Sequence, residues 1–271
     1  MGGRGSTSGR TAPKPVPVKQ AAPKPAPQPA PQPAQQPAPQ PAPQPFQRAQ
    51  RSSSGMTIDQ FAAMTDAQKA SIINNAVRQN VPDHLNNTSD LQKVMYAAGI
   101  GGQPDVVSDS QLSKMQGTEM FRTVNSLYNT KTDVNLTAPQ MADSLAKSKQ
   151  TYVASSMTGG AVYGEGLYFA TKRSDSTSYG NVTGNITKTA VVRAKMKPGT
   201  KTLSYSSAAS KADSEVTRGT QLGKAMKGMN RSARASVWAI SNGYQALTSG
   251  HSYVNILDRS CLAISDKYTA K

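Results

Sequence analysis

The 271-residue chain contains a single cysteine, Cys261. An intrachain disulfide is therefore excluded. Cys261 lies in an apolar strand pattern, which fits a buried, inert thiol better than a nucleophile. No apolar run approaches the length of about 20 residues that a membrane-spanning helix needs. The first residues, Met1-Gly2-Gly3-Arg4-Gly5-Ser6, lack the apolar core of a secretory leader, so export by a Sec signal is not expected. Gly2 with Ser6 superficially fits a myristoylation pattern, but in a glycine-rich, basic context. After Glu215 there is no glutamate at all, and the only later acids are Asp258 and Asp266. Proline is scarce wherever the chain can fold. Of 18 prolines, 14 lie between Pro13 and Pro45, and the rest are Pro82, Pro104, Pro139 and Pro198.

The prolines that are present make a repeat of Pro-Ala-Pro-Gln over residues 13–45. This composition favours polyproline II and cannot supply a core. Residues 1–55 are expected to be a disordered, basic Pro/Ala/Gln-rich tail. Its repeat reaches roughly 100 Å when extended at about 3.1 Å per residue. A spacer is the preferred reading, and a docking site for a proline-binding module is the alternative. Net charge is +16, and the tail carries +7 of it with no acid, leaving +9 for the remainder. Such a balance attracts polyanions. Association of the tail with nucleic acid or a virion is one expectation, and a merely basic, soluble surface is the other. No zinc-finger spacing, basic heptad helix or metal-ligand set is visible.

From about Met56 the pattern becomes helical up to residue 117. Thr65-Asp66-Ala67-Gln68 and Ser89-Asp90-Leu91-Gln92 read as capping boxes, each followed by an apolar stripe. Val81-Pro82 ends the first helix and Gly99 the second. Ser108 to Gln111 starts a third, short turn. His84 has no neighbouring ligand and reads as surface. Phe121 to Val124 reads as a short strand. Its Arg122, if buried, requires an anionic or carbonyl partner. Thr137 to Gln140 begins another helix. Thr187 to Met196 alternates as a strand, and Lys201 to Tyr205 is a second one. A helix is expected between Asp213 and Met229. Val237 to Ile240 reads as a strand or buried turn, and Tyr244–Leu247 and Tyr253–Ile264 complete the β part. The fold class is α+β, with residues 118–271 as the main domain.

Between them lies the most informative stretch. Four glycines and three aromatics fall between Gly159 and Phe169. Leu167-Tyr168-Phe169-Ala170 reads as a buried strand, followed by a serine-rich polar turn through Ser174, Ser176 and Ser178 to Tyr179. Glycines that admit a ligand beside aromatics make a wall for a flat, polar, nucleotide-like molecule. A structural hairpin uses the same residue types.

Gly164-Glu165-Gly166-Leu167-Tyr168-Phe169-Ala170, with Ser174, Ser178 and Tyr179, resembles the central segment of ADP-ribosyltransferases of the poly(ADP-ribose) polymerase type. Phe121-Arg122-Thr123 is similar to the first-strand motif of the arginine-specific and phage-borne members. Tyr253 to Ser260 resembles the late strand of phage-encoded relatives, and the opening Met-Gly-Gly-Arg-Gly-Ser is similar to the starts of some phage proteins. The resemblance implies a split β-sheet that binds NAD+ as substrate, without a metal. It implies that Arg122 and Thr123 hold the ribose or phosphate, that Gly164 and Gly166 admit the cofactor, and that Tyr168, Phe169, Ser174, Ser178 and Tyr179 form the nicotinamide side. The catalytic set it implies is Arg122, Tyr168 and an acid. Many members place that acid as glutamate at the start of the late strand, where this chain has Ser252 beside His251. Glu165 is the substitute. The expected activity is mono-ADP-ribosyl transfer to a host or phage protein, in the host cytoplasm or virion. The alternatives are a catalytically degenerate virion or DNA-associated protein of the same fold, and an NAD glycohydrolase.

Overall fold

The computed structural model describes residues 55–78, 88–125, 127–129, 134–147, 165–180, 189–250 and 252–270. The tail, Val81-Pro82, His84, the run Gly159–Gly164 and His251 lie outside the described residues. In chain order the elements are α1 (Ile58–Ala62), α2 (Asp66–Arg78), α3 (Asp90–Ala98), β1 (Asp105–Val107), α4 (Asp109–Lys114), β2 (Glu119–Asn125), β3 (Leu127–Asn129), β4 (Val134–Leu136), α5 (Ala138–Lys147), β5 (Leu167–Ala170) and α6 (Arg173–Gly180). They continue with β6 (Thr189–Met196), β7 (Thr202–Ser204), α7 (Tyr205–Arg218), α8 (Gln221–Met226), α9 (Arg231–Ser241), β8 (Ala246–Thr248), β9 (Tyr253–Ile256), β10 (Leu262–Ser265) and β11 (Thr269–Ala270). The class is mixed α+β.

The helix starts follow the sequence signals. Ser89 accepts from the Gln92 amide while the Gln92 side chain accepts from the Ser89 amide. Thr65 with Gln68 and Thr137 with Gln140 make the same reciprocal pair. Each box satisfies two amides that a helix start leaves open, a contribution of about 1 kcal/mol apiece. Gly99 closes α3 in the left-handed region at φ 72°, where other residues are strained.

Three elements differ from expectation. Val237 to Ile240 is not a strand but the middle of α9, a helix buried on nearly every side. The serine-rich stretch after β5 is not a turn but helix α6. The helix expected from Asp213 to Met229 is two, α7 and α8, broken at Gly219.

Nine strands form one sheet in the order β1-β10-β6-β2-β5-β9-β8-β7, with β11 also on β6. Strands β3 and β4 make a separate ladder. Seven residues of β2 pair with β6, and four of β5 pair with β9. Between β2 and β5 the one registered pair is Phe121 with Ala170. Two half-sheets thus meet at a single pair.

Two apolar cores flank this seam. One joins α1–α3 to α7–α9 and to Leu247 and Leu257. The helical segment before residue 118 therefore shares its core with helices more than 100 residues later, and β1 within it pairs in parallel with β10. The other core packs Ala142, Leu145 and Ala146 of α5 against Met120, Val192, Phe169 and Ile256 of the sheet. Buried Arg259 donates from Nη1 to the Leu145 carbonyl at 2.6 Å, fastening the β9–β10 turn to the end of α5.

Candidate functional site

The seam is where the separated motif residues meet. Alternation along β2 puts Met120 and Val124 in the core on one face, with Arg122 on that face between them. Beyond the Phe121–Ala170 pair the strands part. There the Arg122 Nη1 donates to the Tyr168 carbonyl at 2.7 Å. A guanidinium fills the place of the next ladder bond, and the carbonyl partner of this half-buried arginine is the backbone of β5.

Tyr168 is opposite Asn255 in register and shares its face with Ala170, Phe121 and Thr123. Leu167 and Phe169 turn the other way into the core, and Phe169 is fully buried. Thr123 Oγ1 and Ser176 Oγ are 2.9 Å apart, joining β2 to α6 over this face. Ser176 is buried, whereas Ser174 is exposed and bonds to Asp175. Thr177 donates to the Arg173 carbonyl one turn back. Such bonding back to the i−4 carbonyl slightly destabilises a helix, so α6 draws on tertiary contacts, Ser176 with Thr123 among them. Ser178 and Tyr179 lie in the last turn of α6, where only the backbone is described, and Gly164 lies outside the described residues.

Glu165 sits on the opposite side of β5's entry. Its Oε2 accepts from the Leu91 amide at 2.8 Å, at the N-terminus of α3. Its carbonyl accepts from Ser236 Oγ of α9 at 2.8 Å and from Asn255 Nδ2 of β9 at 3.2 Å. Burial pushes this carboxyl above the usual range, the Leu91 amide pulls it down, and the Asp90 charge adds to the rise. Gly166 follows at φ 153°. A Cβ there would stand 2.1 Å from Asn255 Oδ1 and 2.8 Å from the Ile256 carbonyl oxygen. Glycine is required here for the close approach of β9. Asn255 and Ser236 were not singled out from the sequence. The signal was a polar residue inside each of two apolar runs, since such a group needs a partner when buried.

At the late strand, the Ser252 carbonyl accepts from the Thr171 amide at 2.7 Å, so Ser252 flanks the end of β5. Asp258 is buried and accepts from the Ser260 amide at 2.9 Å, capping the turn before β10. Cys261 is buried, and burial pushes its thiol up to about 12. Among the described residues no group of three or more His, Cys, Asp or Glu is placed to hold a metal ion, and no helix is long and apolar enough to cross a membrane. The seam is tied to α6 through Thr123 and Ser176, and the entry to β5 is tied to α3 and α9 through Glu165. No protein-family model, curated protein or solved structure matches the chain.

Proposed function

We propose that the protein is an NAD+-dependent mono-ADP-ribosyltransferase that modifies a protein. The observation that carries this is the seam. Arg122, Tyr168 and the α6 serine lie far apart in the chain, yet Arg122 is bonded to the Tyr168 backbone and Thr123 to Ser176 where the half-sheets part. Arg122 lies on the core face and Tyr168 on the α6 face, so an elongated dinucleotide reaches both by running through the parted seam in place of the Arg122–Tyr168 bond. Arg122 holds its ribose or phosphate, for which a planar fork of donors is suited. Tyr168 flanks the nicotinamide. The bond from ribose C1′ to the nicotinamide nitrogen breaks and nicotinamide leaves neutral with the electron pair. A side chain of the acceptor protein then bonds to C1′ and loses its proton. Glu165 is the acid to test first for stabilising positive charge on the ribose.

A second reading is favoured by two observations. Glu165 is engaged at α3, and Ser252 stands where the resembled family has glutamate. It is a protein that binds NAD+ without turning it over.

Full-length protein incubated with adenylate-labelled NAD+ and a lysate separates these. Label on protein supports transfer. Nicotinamide release without label means water is the acceptor. Binding by calorimetry without release supports the second reading, and no binding sinks both. Tyr168→Ala is expected to abolish NAD+ binding. Glu165→Gln is expected to lower nicotinamide release more than affinity.

A further inference from the structure

The positive charge of the folded part is not scattered. Residues 195–234 hold nine Lys or Arg and two acids, a net +7, while residues 56–194 and 235–271 each come to +1. Lys195, Lys197 and Lys201 precede α7, with Lys197 and Lys201 paired to Asp105 and Asp59, whereas α7, α8 and α9 together with Lys227 hold a net +4. Lys211 and Arg218 are seven residues apart on α7, about 10 Å along one face. The Lys224 Cε is 3.8 Å from where a side chain on Gly219 would start, so α8 leans its lysine back over the turn that follows Arg218. Lys227 comes directly after α8. All four are exposed.

The two acids are already committed. Asp213 bonds Arg231 at 3.0 Å and Arg234 at 2.9 Å, and Glu215 bonds Arg218 at 2.7 Å. Among the described residues Lys211, Lys224 and Lys227 make no ion pair. Like charges gathered without acids raise the free energy of the unbound surface, and a polyanion relieves that.

We propose that the exposed lysines of α7 and α8, Lys211, Lys224 and Lys227, bind the phosphate backbone of double-stranded nucleic acid without reading its bases. Two features set this class. Flexible lysines act as point charges towards phosphate rather than as forks that recognise base edges. The aromatics on these helices, Tyr205 and Trp238, pack into the helical core rather than presenting a face to unpaired bases. Trp238 is only 7 % exposed, and Tyr244 is stacked against it at 6.2 Å. This surface is independent of the seam, and its test does not involve NAD+.

The test uses the full-length chain, a 30-base-pair DNA duplex and fluorescence anisotropy over a range of NaCl concentrations. Lys211→Gln/Lys224→Gln/Lys227→Gln removes three phosphate contacts, so the slope of log K against log salt is expected to flatten by about 2.7. A second variant replaces the seven tail Lys and Arg by Gln and is expected to keep salt-dependent duplex binding. Thermal unfolding of the triple variant at the wild-type temperature excludes misfolding. The proposal is overturned if the triple variant keeps the wild-type slope, if the tail variant loses duplex binding altogether, or if a single strand of equal length binds more tightly than the duplex.

Discussion

Replacing Glu165 by alanine removes the acceptor of the Leu91 amide, and Leu91 is 1 % exposed, so water does not readily replace it. A buried donor left without a partner costs about 1–3 kcal/mol. Glutamine keeps an oxygen in the same place and removes a charge that burial disfavours. The sign with pH follows. The carboxyl is raised above its ordinary 4.5 in the folded chain. The folded chain therefore keeps this proton to higher pH than the unfolded chain does. The cost of ionising it is absent below the unfolded value, grows as pH rises through the window between the two, and is complete above the folded value. Wild-type stability from this residue thus declines with rising pH over that window, and Glu165→Gln lacks the decline. Urea unfolding followed by fluorescence of Trp238, the sole tryptophan and a member of the same helical core, measures this at pH 4, 5.5 and 7. The expected order at pH 7 is Gln at or above wild type, with Ala below by about 1–3 kcal/mol. An alanine variant as stable as wild type, or a glutamine variant as weak as alanine, refutes the cap.

Gly166→Ala is expected to lose about 3 kcal/mol or more, since overpacking alone costs about 1–3 and the positive φ adds strain. The new methyl meets both the Asn255 side chain and the Ile256 backbone, and only the first can yield. Equilibrium unfolding of the variant decides it, and wild-type stability would count against the close approach. Cys261 is expected to resist a thiol reagent at pH 8 in the native chain and to react at once in denaturant. Rapid native labelling would mean that the β10 core opens readily.

Much of the helical start chemistry was legible because a capping box is local, as at Ser89 to Gln92. Strand β6 was legible because its alternation is strong. Helix α9 was misread because Val-Trp-Ala-Ile has strand propensity, and a helix buried nearly all round shows no apolar stripe to offset it. The serine run of α6 hid its helicity, since serine and threonine favour turns and the run has no apolar stripe, while Ser176 finds its partner on Thr123 in another element. At the site, charge left Arg122 either facing solvent or holding an anionic or carbonyl partner, and the structure gives it the Tyr168 carbonyl. The partners of Glu165 were not readable. Leu91, Ser236 and Asn255 come from three elements far away in the chain, and no spacing announces a contact across 74, 71 or 90 residues.

Strands β9 and β10 each belong to a different side of the seam. β9 pairs with β5 and β8, whereas β10 pairs with β6 and β1. During synthesis neither half-sheet can complete its ladder until residues 253–265 have left the ribosome. The chain emerges tail first, and its helices can form as they appear, but sheet closure waits for that final stretch. A ribosome stalled before residue 253 would therefore hold a chain with both half-sheets open and the seam between them not yet formed.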